Sequence, residues 1–315
     1  MRKANVRIVI SEFMDRAAVD FLSARHDVHY DPKLVERRDE LAARAVDAHA
    51  LIVRNRTQVD ASLIGSARQL VAVGRLGVGL DNIDVAACSA RGIEVIPATG
   101  ANALAVAEYV IATSMLLLRR AYFATDAVAG GGWPREALSK GRELGGRTLG
   151  LVGFGSIGRA TAGLARALGM RVIAFDAALP RDGDAWQATG VEPRPLDALL
   201  AQSDVVSLHV PLLPSTRNLI GAPQLAAMKA GAILVNSARG GVVDEDALAS
   251  ALRSGHLGGA ALDVFANEPL PAGSALAGCP NLVLTPHIAG ITAESNARVS
   301  RLIAQRVLDV LAAQR

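Results

Sequence analysis

Cysteine, aromatic residues and excess charge are all scarce in this chain of 315 residues. Two cysteines, Cys88 and Cys279, are too few for a disulfide framework and lack metal-ligand spacing, so we expect a reducing compartment and no metal site. A net charge of +3 without a polybasic run argues against nucleic-acid binding. The longest apolar stretch, residues 103–118, contains Glu108 and is too short to span a membrane, and no secretory signal is recognisable. The sequence therefore predicts a globular, cytoplasmic protein, long enough for two domains.

Short apolar runs alternate with helical stretches along most of the chain, which predicts parallel sheets covered on both faces. The long segment 101–125, rich in alanine and leucine, predicts a helix connecting two domains. The last segment, 292–313, predicts an amphipathic helix that returns to the first domain. Predicted strands lie at 6–10, 28–30, 50–53, 70–73, 93–96, 149–152, 172–175, 205–210, 233–236, 260–264 and 282–284, and earlier helices at 15–22 and 33–46.

A glycine turn, residues 153–158, joins a predicted strand to a predicted helix, and Asp176 ends the next strand. In such a turn Gly153 allows the sharp bend, Gly155 lets the backbone approach a pyrophosphate and Gly158 lets the helix pack on the strand. The start of the helix offers free N–H groups to phosphates. Asp176 is placed to accept ribose hydroxyls and to repel a 2′-phosphate. A glycine turn alone is weak evidence, but this full context predicts dinucleotide binding, with NAD favoured over NADP.

Three chemically active side chains follow predicted strands of the same half of the chain: Arg239, Glu268 and His287. An arginine can bind a carboxylate, a histidine can exchange a proton near neutral pH, and a carboxylate can orient the imidazole. Each residue taken singly is more often a surface or turn residue. Their common placement at the strand ends of a nucleotide-binding sheet favours an active site for hydride transfer on a 2-hydroxy acid.

The sequence resembles the family of D-isomer-specific 2-hydroxyacid dehydrogenases over nearly its whole length. The matching stretches are Gly77-Val78-Gly79-Leu80-Asp81-Asn82, Val106-Ala107-Glu108, the turn 153–158, His209-Val210-Pro211 with Thr216, Ser237-Ala238-Arg239-Gly240, Asp263-Val264-Phe265 with Glu268-Pro269, and Pro286-His287-Ile288. Ala289 departs from the pattern, since glycine is frequent there. The chain ends at Arg315, so the C-terminal regulatory domain of longer phosphoglycerate dehydrogenases, and feedback inhibition through it, are not expected.

The resemblance implies an α/β fold of two Rossmann-like, parallel-sheet domains. The substrate domain is discontinuous and flavodoxin-like (1–98 and 288–315), and the NAD-binding domain lies between (99–287). It also implies that Arg239 binds the substrate carboxylate and keto oxygen, that His287 is the acid–base catalyst and that Glu268 pairs with it. The implied NAD-binding residues are Gly153, Gly155, Ser156, Ile157, Gly158, Asp176, His209, Pro211, Thr216, Ala238, Asp263 and Gly290.

Substrate binding is assigned to the loops that follow the first-domain strands. Val78 and Gly79 would offer backbone N–H groups to the carboxylate, and Asn102 would contribute nearby. Arg54, Arg56 and Arg75 supply more positive charge than one carboxylate needs. The loops 54–57, 74–77 and 96–102 are most similar to those of family members acting on 3-sulfolactate or 3-phosphoglycerate. We therefore expect either a substrate with a second anionic group, 3-sulfolactate before 3-phosphoglycerate, or ordinary surface arginines with a neutral acid such as glycerate, paired with hydroxypyruvate or glyoxylate.

Two further expectations follow from the resemblance. The family and the long apolar helix from residue 101 suggest a homodimer formed through the NAD-binding domain. A hypothesis of another class is an NAD-sensing binding protein similar to the transcriptional corepressors that share this fold. Turnover of 2-keto acids with NADH distinguishes an enzyme from such a sensor.

Overall fold

A computed structural model describes residues 6–180 and 183–314, and the chain divides into two compact units. Unit 1 comprises Met1–Asn102 with Ile291–Arg315, and unit 2 comprises Ala103–Gly290. The sequence places the corresponding boundaries at 98 and 287. Each unit is built on a parallel sheet, so the predicted α/β architecture with two parallel-sheet domains is confirmed.

Unit 1 has a five-stranded parallel sheet in the order β2-β1-β3-β4-β5. β3, at its centre, is the all-apolar run 50–53 and is buried at every position. The register pairs Val9 with Leu51, and Leu51 with Val73. The strands are β1 (Arg7–Ile10), β2 (Asp27–Tyr30), β3 (Ala50–Val53), β4 (Ala72–Arg75) and β5 (Glu94–Pro97).

Helices cover both faces of the unit 1 sheet. The C-terminal helix α13 (Ala293–Ala313) begins at Thr292, whose side chain accepts the Ser295 N–H. It packs on α1 and β4 and buries Ile303 and Val307 in the same core as Ile8 and Ile52. The other helices are α1 (Arg16–Ser23), α2 (Arg38–Ala45), α3 (Ala61–Ser66) and α4 (Val85–Ala90), with a 3₁₀ turn at Leu34–Glu36.

Unit 2 has a seven-stranded parallel sheet in the order β12-β11-β10-β9-β6-β7-β8. Its four central strands, β11, β10, β9 and β6, are buried throughout, which explains their continuous apolar sequences. The strands are β6 (Thr148–Val152), β7 (Arg171–Phe175), β8 (Glu192–Pro193), β9 (Val205–Leu208), β10 (Ile233–Asn236), β11 (Gly259–Leu262) and β12 (Leu282–Leu284).

The helices of unit 2 begin with α5, which packs on α8. That contact buries Val110 and Ala162 in one core. The helices are α5 (Ala103–Arg119), α6 (Thr125–Ala129), α7 (Arg135–Leu138), α8 (Ser156–Ala167), α9 (Asp184–Thr189), α10 (Leu196–Gln202), α11 (Ala222–Ala227) and α12 (Glu245–Arg253), with a 3₁₀ turn at Ala121–Ala124.

Two predicted helices are wrong in extent. The predicted helix 101–125 ends at Arg119, because Arg120 adopts a left-handed conformation with φ 60° and a 3₁₀ turn follows. The predicted helix 33–46 is interrupted at Arg37, whose non-helical backbone (φ −123°, ψ 74°) separates the first 3₁₀ turn from α2. In both segments the composition is compatible with one continuous helix, but a single residue leaves the helical conformation and divides the segment.

Candidate active site

The glycine turn of unit 2 has the geometry of a phosphate cradle. Gly153 has φ 100°, and a Cβ there would lie 2.5 Å from the His209 carbonyl oxygen. A Cβ on Gly158 would lie 2.4 Å from the Gly153 carbonyl oxygen, whereas one on Gly155 would meet nothing within 4 Å. α8 begins here with no side-chain cap. Its first N–H groups therefore face an open backbone turn, which fits a pyrophosphate.

Asp176 already has partners inside the protein. Its carboxylate accepts the Phe154 N–H at 2.7 Å and the Ala178 N–H at 2.9 Å, so it holds the glycine turn against the end of β7. Phe154 is fully buried and stacks on Trp186, with ring centroids 4.8 Å apart. A carboxylate oxygen accepts more than one hydrogen bond, so ribose hydroxyls can still bind to Asp176.

The loop after β9 carries three of the expected NAD residues. The His209 imidazole lies 3.0 Å from Ser207 Oγ, and burial lowers the pKa of His209 to about 4, so it is neutral near pH 7. The Thr216 hydroxyl donates to the Pro211 carbonyl at 2.6 Å and accepts the Leu213 N–H at 2.7 Å. Thr216 thus closes the turn that contains Pro211. These two hydrogen bonds account for the Thr216 hydroxyl without contact with a ligand.

Arg239 lies in the loop that follows β10, close to the loop after β11. The Asn236 side chain spans the turn: its Nδ2 donates to the Arg239 carbonyl at 3.0 Å and its Oδ1 accepts the Ala238 N–H at 3.1 Å. A Cβ on Gly240 would lie 1.7 Å from the Phe265 carbonyl oxygen. Only glycine fits between the two loops, and the close approach fixes the backbone that carries Arg239.

His287 and Glu268 form a hydrogen-bonded pair, with Nδ1 and Oε2 2.8 Å apart. The other oxygen of Glu268 accepts the Phe265 N–H at 3.1 Å, which fixes the carboxylate. Both side chains keep about a third of their surface in solvent, 38% and 35%. A carboxylate on Nδ1 requires a proton there, so Nε2 is left to exchange a proton with a substrate oxygen.

Asp263 holds the segment that carries His287. The Asp263 carboxylate is 1% exposed and accepts the Thr285 hydroxyl at 2.6 Å and the N–H groups of Ile288 and Ala289 at 2.8 Å each. His287 has φ 56°, unusual for a residue with a side chain, and its N–H donates to the Asp263 carbonyl. These bonds keep His287 in the left-handed region. Gly290 ends the unit just beyond this segment.

In unit 1 the three arginines lie in different environments. The Arg54 guanidinium donates to Asn296 Oδ1 at 2.7 Å; burial lowers its pKa, and the negative charge of Glu12 opposes that shift. Arg56 is exposed and lies 3.2 Å from Glu36. Arg75 is buried at the end of β4, against Gly77, where a Cβ would lie 1.5 Å from Nη1. Arg54 and Arg75 are therefore better placed than Arg56 to hold a desolvated anion.

The remaining expected substrate residues follow β4 and β5. In the part of the chain that the structure describes, the N–H groups of Val78 and Gly79 donate to no backbone carbonyl, and both residues are half-buried. No donor among those residues reaches the buried Oδ1 of Asn102. These groups have the capacity to bind a carboxylate and a hydroxyl respectively.

The sequence did not single out two buried residues around Arg54–Thr57, the segment we call the arginine loop. Glu12 accepts three of the loop's N–H groups and Asn82 donates to two of its carbonyl groups. Glu12 lies just after β1, and polar residues in this position are candidate site residues because ligands bind beyond the carboxyl ends of parallel strands. The sequence therefore contained a signal for Glu12. Tyr109, whose hydroxyl lies 2.7 Å from Thr285 Oγ1, had no sequence signal.

The two parallel-sheet folds, the phosphate cradle and the bonded His287–Glu268 pair are typical of a dinucleotide-dependent oxidoreductase. Residues 111–289 match the family described as "D-isomer specific 2-hydroxyacid dehydrogenase, NAD binding domain". The chain belongs to this family, whose members are NAD-dependent enzymes.

Related proteins cover most of the chain. It is 53% identical to the (S)-sulfolactate dehydrogenase of Chromohalobacter salexigens, over 95% of this chain and 96% of that protein. It is 39% identical to the hydroxypyruvate reductase of Thermotoga maritima (98% and 99% covered) and 37% identical to the D-3-phosphoglycerate dehydrogenase of Archaeoglobus fulgidus (97% and 57%). The chain thus spans little more than half of that last relative. The crystal structure of TT0316 from Thermus thermophilus superposes with a TM-score of 0.88 at 37% identity, covering 98% and 97%.

Within the described residues, no helix is long and apolar enough to cross a membrane, and no cluster of His, Cys, Asp and Glu side chains is arranged to hold a metal ion.

Proposed function

We propose that this NAD-dependent dehydrogenase interconverts 3-sulfolactate and 3-sulfopyruvate. Two observations support this substrate. The chain is 53% identical, nearly end to end, to a protein described as an (S)-sulfolactate dehydrogenase. Two buried or half-buried arginines, Arg54 and Arg75, follow strands of unit 1, and a sulfonate is a permanent anion that suits an arginine. The inference that the substrate carries a second anionic group depends on Arg54 and Arg75.

The chemistry falls to the triad of unit 2. Arg239 binds the substrate carboxylate and stabilises negative charge on the C2 oxygen. In oxidation, His287 Nε2 takes the C2 hydroxyl proton while C2 loses hydride; in reduction, protonated His287 returns that proton. Glu268 keeps the imidazole oriented through its hydrogen bond with Nδ1. When bound, the nicotinamide ring supplies the hydride acceptor or donor.

The cofactor residues of the proposal follow from the phosphate cradle. Gly153, Gly155 and Gly158 shape the turn, and the backbone of Ser156 and Ile157 offers N–H groups to the pyrophosphate. Asp176 binds the adenosine ribose and disfavours a 2′-phosphate. The neutral His209, Pro211, Ala238 and Gly290 complete the proposed NAD site. Thr216 and Asp263, whose side chains are bonded within the protein, support this site through the backbone segments that they hold.

A substrate panel tests the proposal. Purified protein with NADH is given sulfopyruvate, phosphohydroxypyruvate, hydroxypyruvate or glyoxylate, and kcat/KM is measured for each. We expect sulfopyruvate to have the highest value. A maximum at phosphohydroxypyruvate would instead identify a 3-phosphoglycerate dehydrogenase. No turnover on any keto acid, with NADH binding intact, would overturn the enzyme and favour the NAD-sensing protein.

Arginine variants test the second anion separately. Arg54→Ala and Arg75→Ala should lower kcat/KM for sulfopyruvate by about 10-fold or more and affect hydroxypyruvate much less, because only the former carries charge at C3. Arg56→Ala, which removes an exposed guanidinium paired with Glu36, should have the smallest selective effect of the three. Equal losses on both substrates in all variants would refute a second anion site.

The second candidate is a glycerate dehydrogenase acting as a hydroxypyruvate or glyoxylate reductase. The similarity to the hydroxypyruvate reductase of T. maritima, which covers 98% of this chain, favours it. In that case the arginines of unit 1 are structural, and hydroxypyruvate has the highest kcat/KM in the panel.

The proposal includes a cytoplasmic homodimer. Both cysteines are free, which suits a reducing compartment. Tyr122, Phe123, Val128 and Trp133 follow α5 and expose large apolar side chains; Trp133 is 78% exposed. A second copy of unit 2 would cover this apolar segment. Sedimentation of the wild type and of Trp133→Glu tests it, since the charged side chain should shift a dimer toward monomer.

A further inference from the structure

The arginine loop follows β3 and is held by side chains rather than by strand pairing. One oxygen of the Glu12 carboxylate accepts the Arg54 N–H at 2.8 Å and the Thr57 N–H at 3.0 Å, and the other accepts the Arg56 N–H at 3.1 Å. Glu12 is 4% exposed. A buried carboxylate is costly unless it is fully hydrogen-bonded, and three N–H donors meet that requirement here.

Two carbonyl groups of the same loop are bound by a different side chain, that of Asn82. Asn82 Nδ2 donates to the carbonyl oxygens of Arg54 at 3.1 Å and Thr57 at 2.6 Å. The hydroxyls of Ser11 and Thr57 lie 2.9 Å apart. All of these side chains are buried, so the backbone of the loop is fixed before any ligand arrives.

The position of the Glu12 charge is informative. The carboxylate binds a loop that half-buries Arg54 and exposes Arg56, and its charge opposes the desolvation that lowers the pKa of Arg54. Three N–H groups shared between two oxygens require a carboxylate, because an amide offers only one acceptor oxygen. A carboxylate does both: it fixes the backbone and supports the cation that the loop carries.

We propose that Glu12, assisted by Asn82, is a positioning residue that presets the arginine loop for the second anionic group of the substrate. The inference rests on the proposed function. Because the loop is ordered in advance, binding does not have to order it, and the affinity for the C3 anion rises accordingly. A substrate that lacks this anion gains nothing from the preset loop.

Glu12→Gln is the sharpest test. The amide keeps the volume and one acceptor oxygen, which can serve Arg54 and Thr57, but its NH₂ group then faces the Arg56 N–H, and the charge is lost. We expect KM for sulfopyruvate to rise about tenfold while kcat stays within about twofold, and KM for hydroxypyruvate to change less than about twofold. Glu12→Asp, which keeps the charge on a shorter side chain, should fall between wild type and Glu12→Gln.

A matched control separates positioning from general destabilisation. Asp15→Ala removes the cap of α1, a carboxylate that also accepts a backbone N–H in unit 1 but does not contact the arginine loop. It should lower the melting temperature and leave the ratio of the two KM values unchanged. Should Glu12→Gln fail to fold, Asn82→Ala loosens the loop from its carbonyl side and should raise the same KM.

Amide hydrogen exchange gives a readout independent of substrate. In Glu12→Gln the amides of Arg54, Arg56 and Thr57 should exchange about tenfold faster than in wild type, while those of β3 stay protected. Unchanged exchange of the loop amides, or equal KM increases for both substrates, would overturn the positioning role. If wild type shows no preference for sulfopyruvate but Glu12→Gln still speeds loop exchange, it is the proposed substrate that fails, and with it the role of the preset loop in specificity.

Discussion

Replacing Asp263 with asparagine should slow catalysis more than it weakens cofactor binding. The three donors to the Asp263 carboxylate all belong to the segment that carries His287. In Asp263→Asn one of these positions is taken by an NH₂ group, which faces a backbone N–H as donor against donor. Loss of one buried, charge-assisted hydrogen bond and weakening of the other two amounts to about 3 kcal/mol.

We expect this loss of interaction free energy in Asp263→Asn to have two effects. Part of it lowers the stability of unit 2. The rest lets His287 leave its left-handed conformation, and displacement of a catalytic group by about 1 Å lowers kcat by roughly 100-fold. Asp263 is 1% exposed and both of its oxygens are bonded within the protein, so a ligand cannot reach them and the dissociation constant of NADH should change less than about threefold.

The assay combines steady-state kinetics at saturating NADH, an NADH fluorescence titration and urea unfolding. Asp204→Asn is the matched control, because Asp204 also accepts a backbone N–H in unit 2, that of Thr148 at 2.9 Å, but does not touch the His287 segment. It should reduce stability and leave kcat nearly intact. If Asp263→Asn weakens NADH binding while kcat is unchanged, Asp263 is a cofactor residue and the positioning argument is wrong.

Three further results are expected. Gly240→Ala should abolish most activity, because its Cβ would lie 1.7 Å from the Phe265 carbonyl oxygen and the Arg239 loop must move; wild-type kcat in a folded variant contradicts this. Asp176→Asn should reduce the ratio of kcat/KM for NADH to that for NADPH by about tenfold, and an unchanged ratio would show that Asp176 serves only the Phe154 N–H. The pKa of His209 is lowered from 6.5 to about 4, so the unfolded chain binds this proton first and stability falls as pH drops from 6.5 toward 4, by up to about 3 kcal/mol. Urea unfolding of His209→Gln should lack that part of the pH dependence.

The strands that the sequence predicted correctly are short apolar runs, two of them buried throughout and the third, Leu282–Leu284, half-buried to exposed. The strands Ala50–Val53, Ile233–Asn236 and Leu282–Leu284 have the predicted bounds, because short apolar runs in a parallel sheet have few alternatives. The strand predicted at 70–73 lies at Ala72–Arg75 instead. A buried arginine at a strand end is not anticipated by an apolar pattern.

In the candidate site, the chemically active residues were predictable from the sequence and the residues that support them were less so. Chemistry and strand ends pointed to His287, Glu268 and Arg239, and the structure places the first two 2.8 Å apart. The supporting residues were harder to find, since a buried carboxylate such as Glu12 looks in sequence like any acid after a strand. Its function depends on three N–H groups more than forty residues away along the chain. Folding brings such distant residues together, so no short sequence motif marks them.

The stack of Phe154 on Trp186 gives the molecule a built-in optical probe. The chain has two tryptophans, one largely exposed at position 133 and one buried directly beneath the cofactor turn, with its indole N–H bonded to the Pro180 carbonyl. A Trp133→Phe chain would therefore carry a single tryptophan, which can be excited selectively, is shielded from water and contacts the residue between the first two glycines. Its emission would report the state of that turn in real time, so that nucleotide arrival could be followed without any turnover of substrate.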